Sequence, residues 1–278
     1  MIFKNAMGFK AKVKQVAKDK GITAQQVQHN YLIEAFLTKL SLSTHKSNFI
    51  VKGGFLIGGM IGLELRATMD LDTTVKGFEL TPENLSRVAE EIINIPTEES
   101  FTFVFQGVEE IRETDDYPGY RMKLFANFEQ INEVITVDVT TGDVITPKEI
   151  DFNLKKMFSE DKIELLSYPI ETVLAEKLET ILSRGIGTTR PRDFYDVYLI
   201  TKTQKYNINT FKKAFSSTAK HRGTEEKIKN VPEILKVIKE SRILKKQWEK
   251  YQREYLYARD ITYDDTVMAL YELMKCSD

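Results

Sequence analysis

"KGGFLIGGMIGLELRATMDLDTT", residues Lys52 to Thr74, combines two choices that weaken local structure. Glycines are scattered through a stretch, roughly 55–65, that reads as a helix. Two aspartates, Asp70 and Asp72, interrupt "TMDLDTTVKG", which reads as a strand. Side chains alternate along a strand, so Asp70, Asp72 and Thr74 share one face and Met69, Leu71 and Thr73 the other. Positions i and i+2 lie roughly 6.5–7 Å apart, a span that suits a pair of divalent cations ~3.5–4 Å apart. A later strand, "EVITVDVTTGD", repeats the design and places Asp138 opposite Ile135, Val137 and Val139. Three carboxylates on neighbouring strands would make an oxygen-rich site suited to Mg²⁺. Without a cation they would repel or take up protons. The plainer alternative is a solvated strand face, and glycosyltransferases also use an Asp-x-Asp pair to hold a metal.

The glycines narrow the choice. Gly53 and Gly54 fall between the short strand "NFIVKGG" and the following helix. There a backbone without side chains lets a phosphate come close, and helix N–H groups face the anion.

The remaining composition sets bounds. The 278 residues are 42% hydrophobic and 29% charged, which is ordinary for a globular chain with enough apolar residues for a core in each of two lobes. No signal peptide is visible at the N-terminus, and no run reaches ~18 uninterrupted apolar residues, so no membrane span is expected. The single cysteine, Cys276, forms no internal disulfide and fits a reducing cytoplasm. Three histidines and one cysteine do not make a structural zinc site. The formal net charge is −1, yet Lys202 to Arg259 holds 16 Lys/Arg against 6 Asp/Glu. Such a block, with Lys245, Lys246 and Lys250 clustered in it, reads as a polyanion-binding face or as ordinary solvated helix exteriors.

Element by element, helices are expected over 8–20 and from Thr23, as N-cap, to Leu40. Thr81 and Pro82 start another over "TPENLSRVAEEIINI". "FTFVFQGVEEIRET" and "YRMKLFANFE" read as strands around the turn "DDYPG". From about residue 170 the pattern is helical. The expected fold is α+β: a mixed sheet with flanking helices over residues 1–165, then an all-helical lobe over 166–278 that completes the active cleft.

A second constellation lies in that helical lobe. In "ETVLAEKLETILSR" the apolar arc is Val173, Leu174, Leu178, Ile181 and Leu182, and Lys177 and Arg184 fall within or at its edge. An inward lysine needs a partner or ligand, unless its stem snorkels. In "TTRPRDFYDVYLI", Asp193, Asp196, Val197 and Ile200 share one helical face. A cationic pair facing an acidic pair reads as a buried ionic cluster, structural or part of the active cleft.

Together, "KGGFLIG…LRATMDLD", "VDV", "AEKLETILSR" and "RPRDFYDVYLI" resemble the AbiEii/AbiGii-type nucleotidyltransferase toxins of abortive-infection and type IV toxin–antitoxin systems. The motifs are ordered between Lys52 and Ile200. The resemblance implies a nucleotidyltransferase fold. It assigns phosphate support to Gly53, Gly54, Arg66 and Thr68, and metal binding to Asp70 and Asp72, with a weaker match at Asp138. It also picks out Lys177 with Arg184, and Arg192, Asp193 and Asp196. It implies one or two Mg²⁺ ions, an NTP substrate, an RNA acceptor such as a tRNA 3′ end, a block on translation in antiviral defence, and a cognate antitoxin. One departure stands out: the superfamily has Gly-Ser where this chain has Gly53-Gly54, so no hydroxyl is available there.

In the mechanism so implied, Lys177, with Arg66 or Arg184, neutralises charge developing on the phosphates. Asp138, Asp193 or Asp196 acts on the acceptor hydroxyl, and Lys245, Lys246 and Lys250 hold the RNA backbone. Two other functions stay open. One is a nucleotidyltransferase acting on a small molecule such as an aminoglycoside, against which the basic block argues. The other is a non-catalytic RNA- or protein-binding module, against which the intact Asp70 and Asp72 argue.

Overall fold

The computed structural model describes residues 2–111 and 118–275. Asp115–Tyr117 of the expected turn and Cys276 lie outside the described residues. The chain divides into two units. One comprises Met1–Asp143 and Ile150–Ser167; the other comprises Val144–Glu149 and Tyr168–Asp278.

In the first unit, helix α1 (Ala6–Lys20) is capped by the Asn5 side chain, and Gly21 ends it in the left-handed region. Helix α2 (Ala24–Leu42) starts at Thr23 with a full capping box to Gln26. Strand β1 (Phe49–Lys52) runs directly into α3 (Gly53–Ile61), which stops at Gly62, earlier than its apolar composition implies. After β2 (Leu71–Val75), helix α4 (Pro82–Ile93) takes Thr81 as N-cap and proline at its first position. Strands β3 (Thr102–Glu110), β4 (Gly119–Phe128) and β5 (Ile131–Thr140) follow, then a hairpin of β6 (Ile150–Lys155) and β7 (Lys162–Ser167).

The seven strands form one mixed sheet in the order β3-β4-β5-β2-β1-β7-β6. Pairs β1–β7 and β2–β5 are parallel; the rest are antiparallel. The fold is therefore α+β with a mixed sheet. Met122, Leu124, Ile135, Val137, Val139 and Leu71 are buried on one face, among the apolar side of the helices. Rings of Phe3, Phe9, Tyr31, Phe101 and Phe158 meet at centroid distances of 5.0–5.9 Å and close the core beside α1 and α2.

The second unit is helical: α5 (Ile170–Arg184), α6 (Pro191–Thr203), α7 (Ile208–His221), α8 (Val231–Glu240), α9 (Arg242–Glu254) and α10 (Tyr263–Lys275). Trp248 of α9 is buried and donates its indole N–H to Ile261 O at 2.9 Å, and the Tyr263 hydroxyl donates to Ile238 O at 2.7 Å. Both rings thus bury apolar area without stranding their polar ends. No helix among the described residues is long and apolar enough to cross a membrane.

Glu34 of α2 lies in the first unit's interior, only 6% exposed. Its Oε2 accepts the Met157 N–H at 2.6 Å. Burial pushes its carboxyl up to about 7, against the lowering effect of that N–H and of the Lys156 ammonium; nearby Glu99 adds to the rise. A raised folded value means that folding takes up a proton between the ordinary 4.5 and about 7. Stability therefore falls as pH climbs through that window, by about 3 kcal/mol, and this contribution is flat above it. Glu34→Gln keeps an acceptor for Met157 and cannot titrate. Chemical unfolding of both proteins from pH 4.5 to 8 should show the variant gaining stability relative to the parent by about that amount. Parallel stability curves would contradict the buried acid.

Candidate active site

The sheet's other face carries a row of charges in direct register: Arg121 on β4, Asp138 on β5, Asp72 on β2 and Lys52 on β1. Like charges side by side on neighbouring strands are unfavourable. Here each end of the row is a cation. Arg121 grips Asp138 with both forks, Nε to Oδ1 at 2.7 Å and Nη2 to Oδ2 at 2.8 Å. That bidentate bond holds the guanidinium charged even more firmly than usual. Lys52 is 8% exposed; its ammonium bonds Thr140 Oγ1 at 2.8 Å and the Asp143 carboxylate. Asp70 lies one residue before β2, exposed, and its Oδ1 accepts from Thr136 Oγ1 at 3.3 Å. His29 of α2 feels both Asp70 and Glu133, yet burial dominates and pushes its imidazole down.

The glycines explain how these groups fit. Gly53 has φ +66°, and a Cβ there would stand 2.1 Å from Asp72 Oδ2. The Asp72 carboxylate thus rests on the bare α-carbon at the start of α3. Lys52, the N-cap of α3, gives it no side-chain capping bond, so the first-turn N–H groups are not capped by that residue. A Cβ on Gly54 would meet Arg66 Nη2 at 2.7 Å and Thr68 Oγ1 at 3.1 Å, and one on Gly58 would meet Arg66 O at 2.5 Å. Gly54 and Gly58 lie one turn apart and form a groove in which residue 66 is seated. Arg66 is 2% exposed and donates to Ala67 O at 3.0 Å. Its guanidinium fills the space that a serine side chain at position 54 would need.

Gly53, Gly54, Arg66, Thr68, Asp70, Asp72 and Asp138 are therefore brought together by three strands and one helix start. Among the described residues no group of three His, Cys, Asp or Glu side chains forms a ready-made metal cage. Asp70 and Asp72 on one face match the way Mg²⁺ is bound through one or two carboxylates, with phosphate oxygens supplying other ligands. Asp138 differs, because both of its oxygens are already engaged by Arg121.

In the helical unit, Lys177 of α5 sits between two carboxylates of α6, 2.5 Å from Asp193 Oδ1 and 2.9 Å from Asp196 Oδ2. Both aspartate side chains are nearly inaccessible, at 5% and 0%. Arg184 is exposed at the end of α5, two turns beyond Lys177, and is not part of this triad. Arg192 donates from Nη2 to the Tyr255 hydroxyl at 3.1 Å and lies over its ring. Lys245, Lys246 and Lys250 are exposed on α9, and Lys245 approaches Asp264 at 3.7 Å.

The family model for the AbiEii nucleotidyl transferase toxin of type IV toxin–antitoxin systems matches residues 35–269. The chain belongs to the AbiEii family. It is thus a nucleotidyltransferase toxin of a toxin–antitoxin system, a class that uses a nucleotide substrate and has an antitoxin partner. No curated protein sequence matches it. Among solved structures, a candidate nucleotidyltransferase from H. pylori is 15% identical with a TM-score of 0.49, covering 91% of this chain and 95% of that one. JHP933 from Helicobacter pylori is 16% identical with a TM-score of 0.47, covering 92% and 91%. An antigenic nucleotidyltransferase-like protein from Paracoccidioides brasiliensis is 16% identical with a TM-score of 0.38, covering 72% and 92%.

Sequence reading of this AbiEii chain missed three polar groups around the site. Arg121 gave no signal, because it reads as one more alternating polar residue of β4. Lys52 and Asp143 are separated by 91 positions and meet only through strand order. The helical unit holds a further ion pair with one buried member: Glu179, 2% exposed, bonds Nη1 of the exposed Arg222 at 2.5 Å. Its signal was an acidic residue on the apolar side of α5.

The triad generates a stability test. Lys177→Met keeps the stem's volume but leaves two buried carboxylates without their cation. It should cost roughly 3–5 kcal/mol at neutral pH. The loss should shrink toward acid, because the stranded carboxyls take up protons. Melting curves at pH 5 and 7.5 check this; an unchanged melting temperature at both would show that the triad contributes nothing to the fold.

Proposed function

We propose that this chain transfers a nucleotide from an NTP to the 3′ end of an RNA, with tRNA as the acceptor, and so blocks translation in an antiviral defence. The supporting observation is the seat of Asp72 on Gly53, with Asp70 on the same sheet face and the start of α3 alongside. A triphosphate at the start of α3 would meet its first-turn N–H groups, with the buried Arg66 guanidinium and Thr68 hydroxyl packed behind Gly54, which suits an anion held by backbone with a nearby guanidinium rather than by a serine hydroxyl. Asp70 and Asp72 hold the divalent metal. When bound, Mg²⁺ neutralises charge on the triphosphate and orients it for in-line displacement. The acceptor 3′-hydroxyl loses its proton and bonds to the α-phosphorus, and pyrophosphate leaves.

Asp138 enters as a third metal ligand or as base only by releasing an Arg121 bond, so Asp70 and Asp72 carry the metal role. The Arg121 cation keeps the adjacent Asp138 charge from repelling the triphosphate. Lys177, Asp193 and Asp196 belong to the catalytic set through the family motif, with Lys177 serving phosphate by exchanging a carboxylate partner. Arg184 is the weaker candidate, since it is exposed and outside the triad. Lys246 and Lys250, exposed one turn apart on α9, suit an RNA backbone; a cationic aminoglycoside acceptor would not favour so basic a segment.

The test is one assay with two sets of variants. Purified protein is incubated with labelled NTPs, Mg²⁺ and either tRNA or an aminoglycoside. Label should enter tRNA, and Asp70→Ala and Asp72→Ala should each abolish transfer while the protein stays folded. Lys246→Glu with Lys250→Glu should weaken RNA binding and reduce the salt slope by about 2. Near-normal turnover by either aspartate variant, or label on the aminoglycoside alone, would overturn the reading.

A further inference from the structure

Helix α1 divides its residues sharply. Ala6, Phe9, Val13 and Ala17, three or four positions apart, form a buried apolar stripe. Outside that stripe Lys10, Lys14 and Lys18, four positions apart, stand exposed in a row, with Lys12 half-buried on the helix's other flank. Residues 1–20 hold six lysines against one acid, Asp19. Like charges one turn apart destabilise a helix, and here no carboxylate offsets them. Among the described residues, Lys10, Lys12, Lys14 and Lys18 have no acidic partner. Other surface lysines of the same unit do: Lys20 meets Glu64 at 2.6 Å, Lys46 meets Glu164 at 3.0 Å and Lys155 meets Glu160 at 2.8 Å.

The helix under this row is firmly held. The Asn5 side chain caps it, the Ala6 N–H donates to Glu129 Oε2 at 2.8 Å, and the Phe9 ring packs on Tyr31 and Phe101 at 5.2 and 5.0 Å. The lysine stems therefore spring from a backbone already ordered before any partner arrives. Successive members of the row rise by ~6 Å along the axis, close to the step between neighbouring phosphates of one RNA strand. Lysine neutralises phosphate as a point charge and fixes position without reading sequence. A membrane is the poorer fit, because the apolar stripe of α1 is spent on the core and no apolar face remains to enter a bilayer.

We propose that α1 is a second RNA-binding surface besides α9, and that its lysine row holds the sugar–phosphate backbone of the acceptor's base-paired body. Duplex RNA is gripped largely through its shape and phosphates, which suits a sequence-blind row. The proposal rests on the RNA acceptor of the function proposed above and adds the surface that carries it. Helix α1 lies before residues 35–269, so this contact is outside the span that matches the family. The row ends near the candidate site: Lys20, in the last turn of α1, reaches Glu64, two positions before Arg66 in the segment that leads to Thr68 and Asp70.

The experiment measures binding of the full chain to tRNA without NTP or Mg²⁺, so that an absence of transfer leaves it readable. The triple variant Lys10→Gln, Lys14→Gln, Lys18→Gln keeps good helix formers at exposed positions. It should bind tRNA about tenfold or more weakly at ~0.1 M salt and lower the salt slope by about 2–3. Lys14→Gln alone should lower the slope by about 1. Lys46→Gln, Lys76→Gln and Lys162→Gln together remove the same charge elsewhere in the unit and should leave binding near that of the parent. A short single-stranded RNA with the same 3′ sequence should bind the parent and the α1 triple variant alike. Failure of the parent to bind tRNA, an unchanged slope in the α1 variants, or an equal loss in the control triple would each overturn the proposal. An equal loss on the short strand would overturn the assignment to the base-paired body. Vesicles of phosphatidylserine and phosphatidylcholine form the last arm: α1-dependent binding there, with tRNA binding unaffected by the triple substitution, would make the row a membrane contact instead.

Discussion

The contact between the Asp72 carboxylate and the bare α-carbon of Gly53 fixes the rest of the site. It ties the end of β1 to β2, since Lys52 and Asp72 are register partners. It also sets where α3 begins, and hence which N–H groups face outward. Gly54 and Gly58 then admit Arg66 against the same helix. The scattered glycines cost helix stability, on the order of 0.5–1 kcal/mol each. That cost has a local return: a Cβ on Gly53, Gly54 or Gly58 would fall on Asp72, on the Arg66 guanidinium and Thr68, or on the Arg66 carbonyl.

Electrostatics follow the same economy. The carboxylates of Asp72 and Asp138 stand side by side with a cation at each end of the row, Arg121 and Lys52. This face therefore presents two carboxylates and two paired cations rather than a bare acidic patch. In the helical unit the balance runs the other way, with one ammonium shared between two carboxylates. Such buried pairs contribute little net stability compared with apolar packing, yet removing one member is costly. Their value lies in holding a geometry.

Much of this was legible in the sequence, and for physical reasons. Thr23, Thr81 and Pro82 marked helix starts because capping is a local event between residues three apart. The alternation around Asp70, Asp72 and Asp138 gave their shared face, because strand period is local too. The hairpin β6–β7 was passed over: "IDFNLKKMFSEDKIELLS" carries charges on both strands, and only Phe152, Leu154, Ile163 and Leu165 mark an inner face. Its consequence, a parallel partner that makes β1 an interior strand, depends on strand order. Arg121 with Asp138 and Lys52 with Asp143 were likewise hidden, because each pair joins residues on different elements. The absence of a serine at position 54 was visible as a departure; that a buried arginine takes its space was not.

Replacement of Gly53 by alanine tests the central contact most directly, with Gly187→Ala, at an open position with no neighbour within 4 Å, as the control. The new methyl would fall on Asp72 Oδ2 and would also face the left-handed backbone penalty, roughly 1–2 kcal/mol. Nucleotidyl transfer and melting temperature are measured on the same preparations. The expected result is a folded Gly53→Ala protein, lower in melting temperature by a few degrees and as inactive as Asp72→Ala, beside an unaffected Gly187→Ala. Full turnover by Gly53→Ala would contradict the account, since Asp72 would then not need the bare α-carbon on which the site is built.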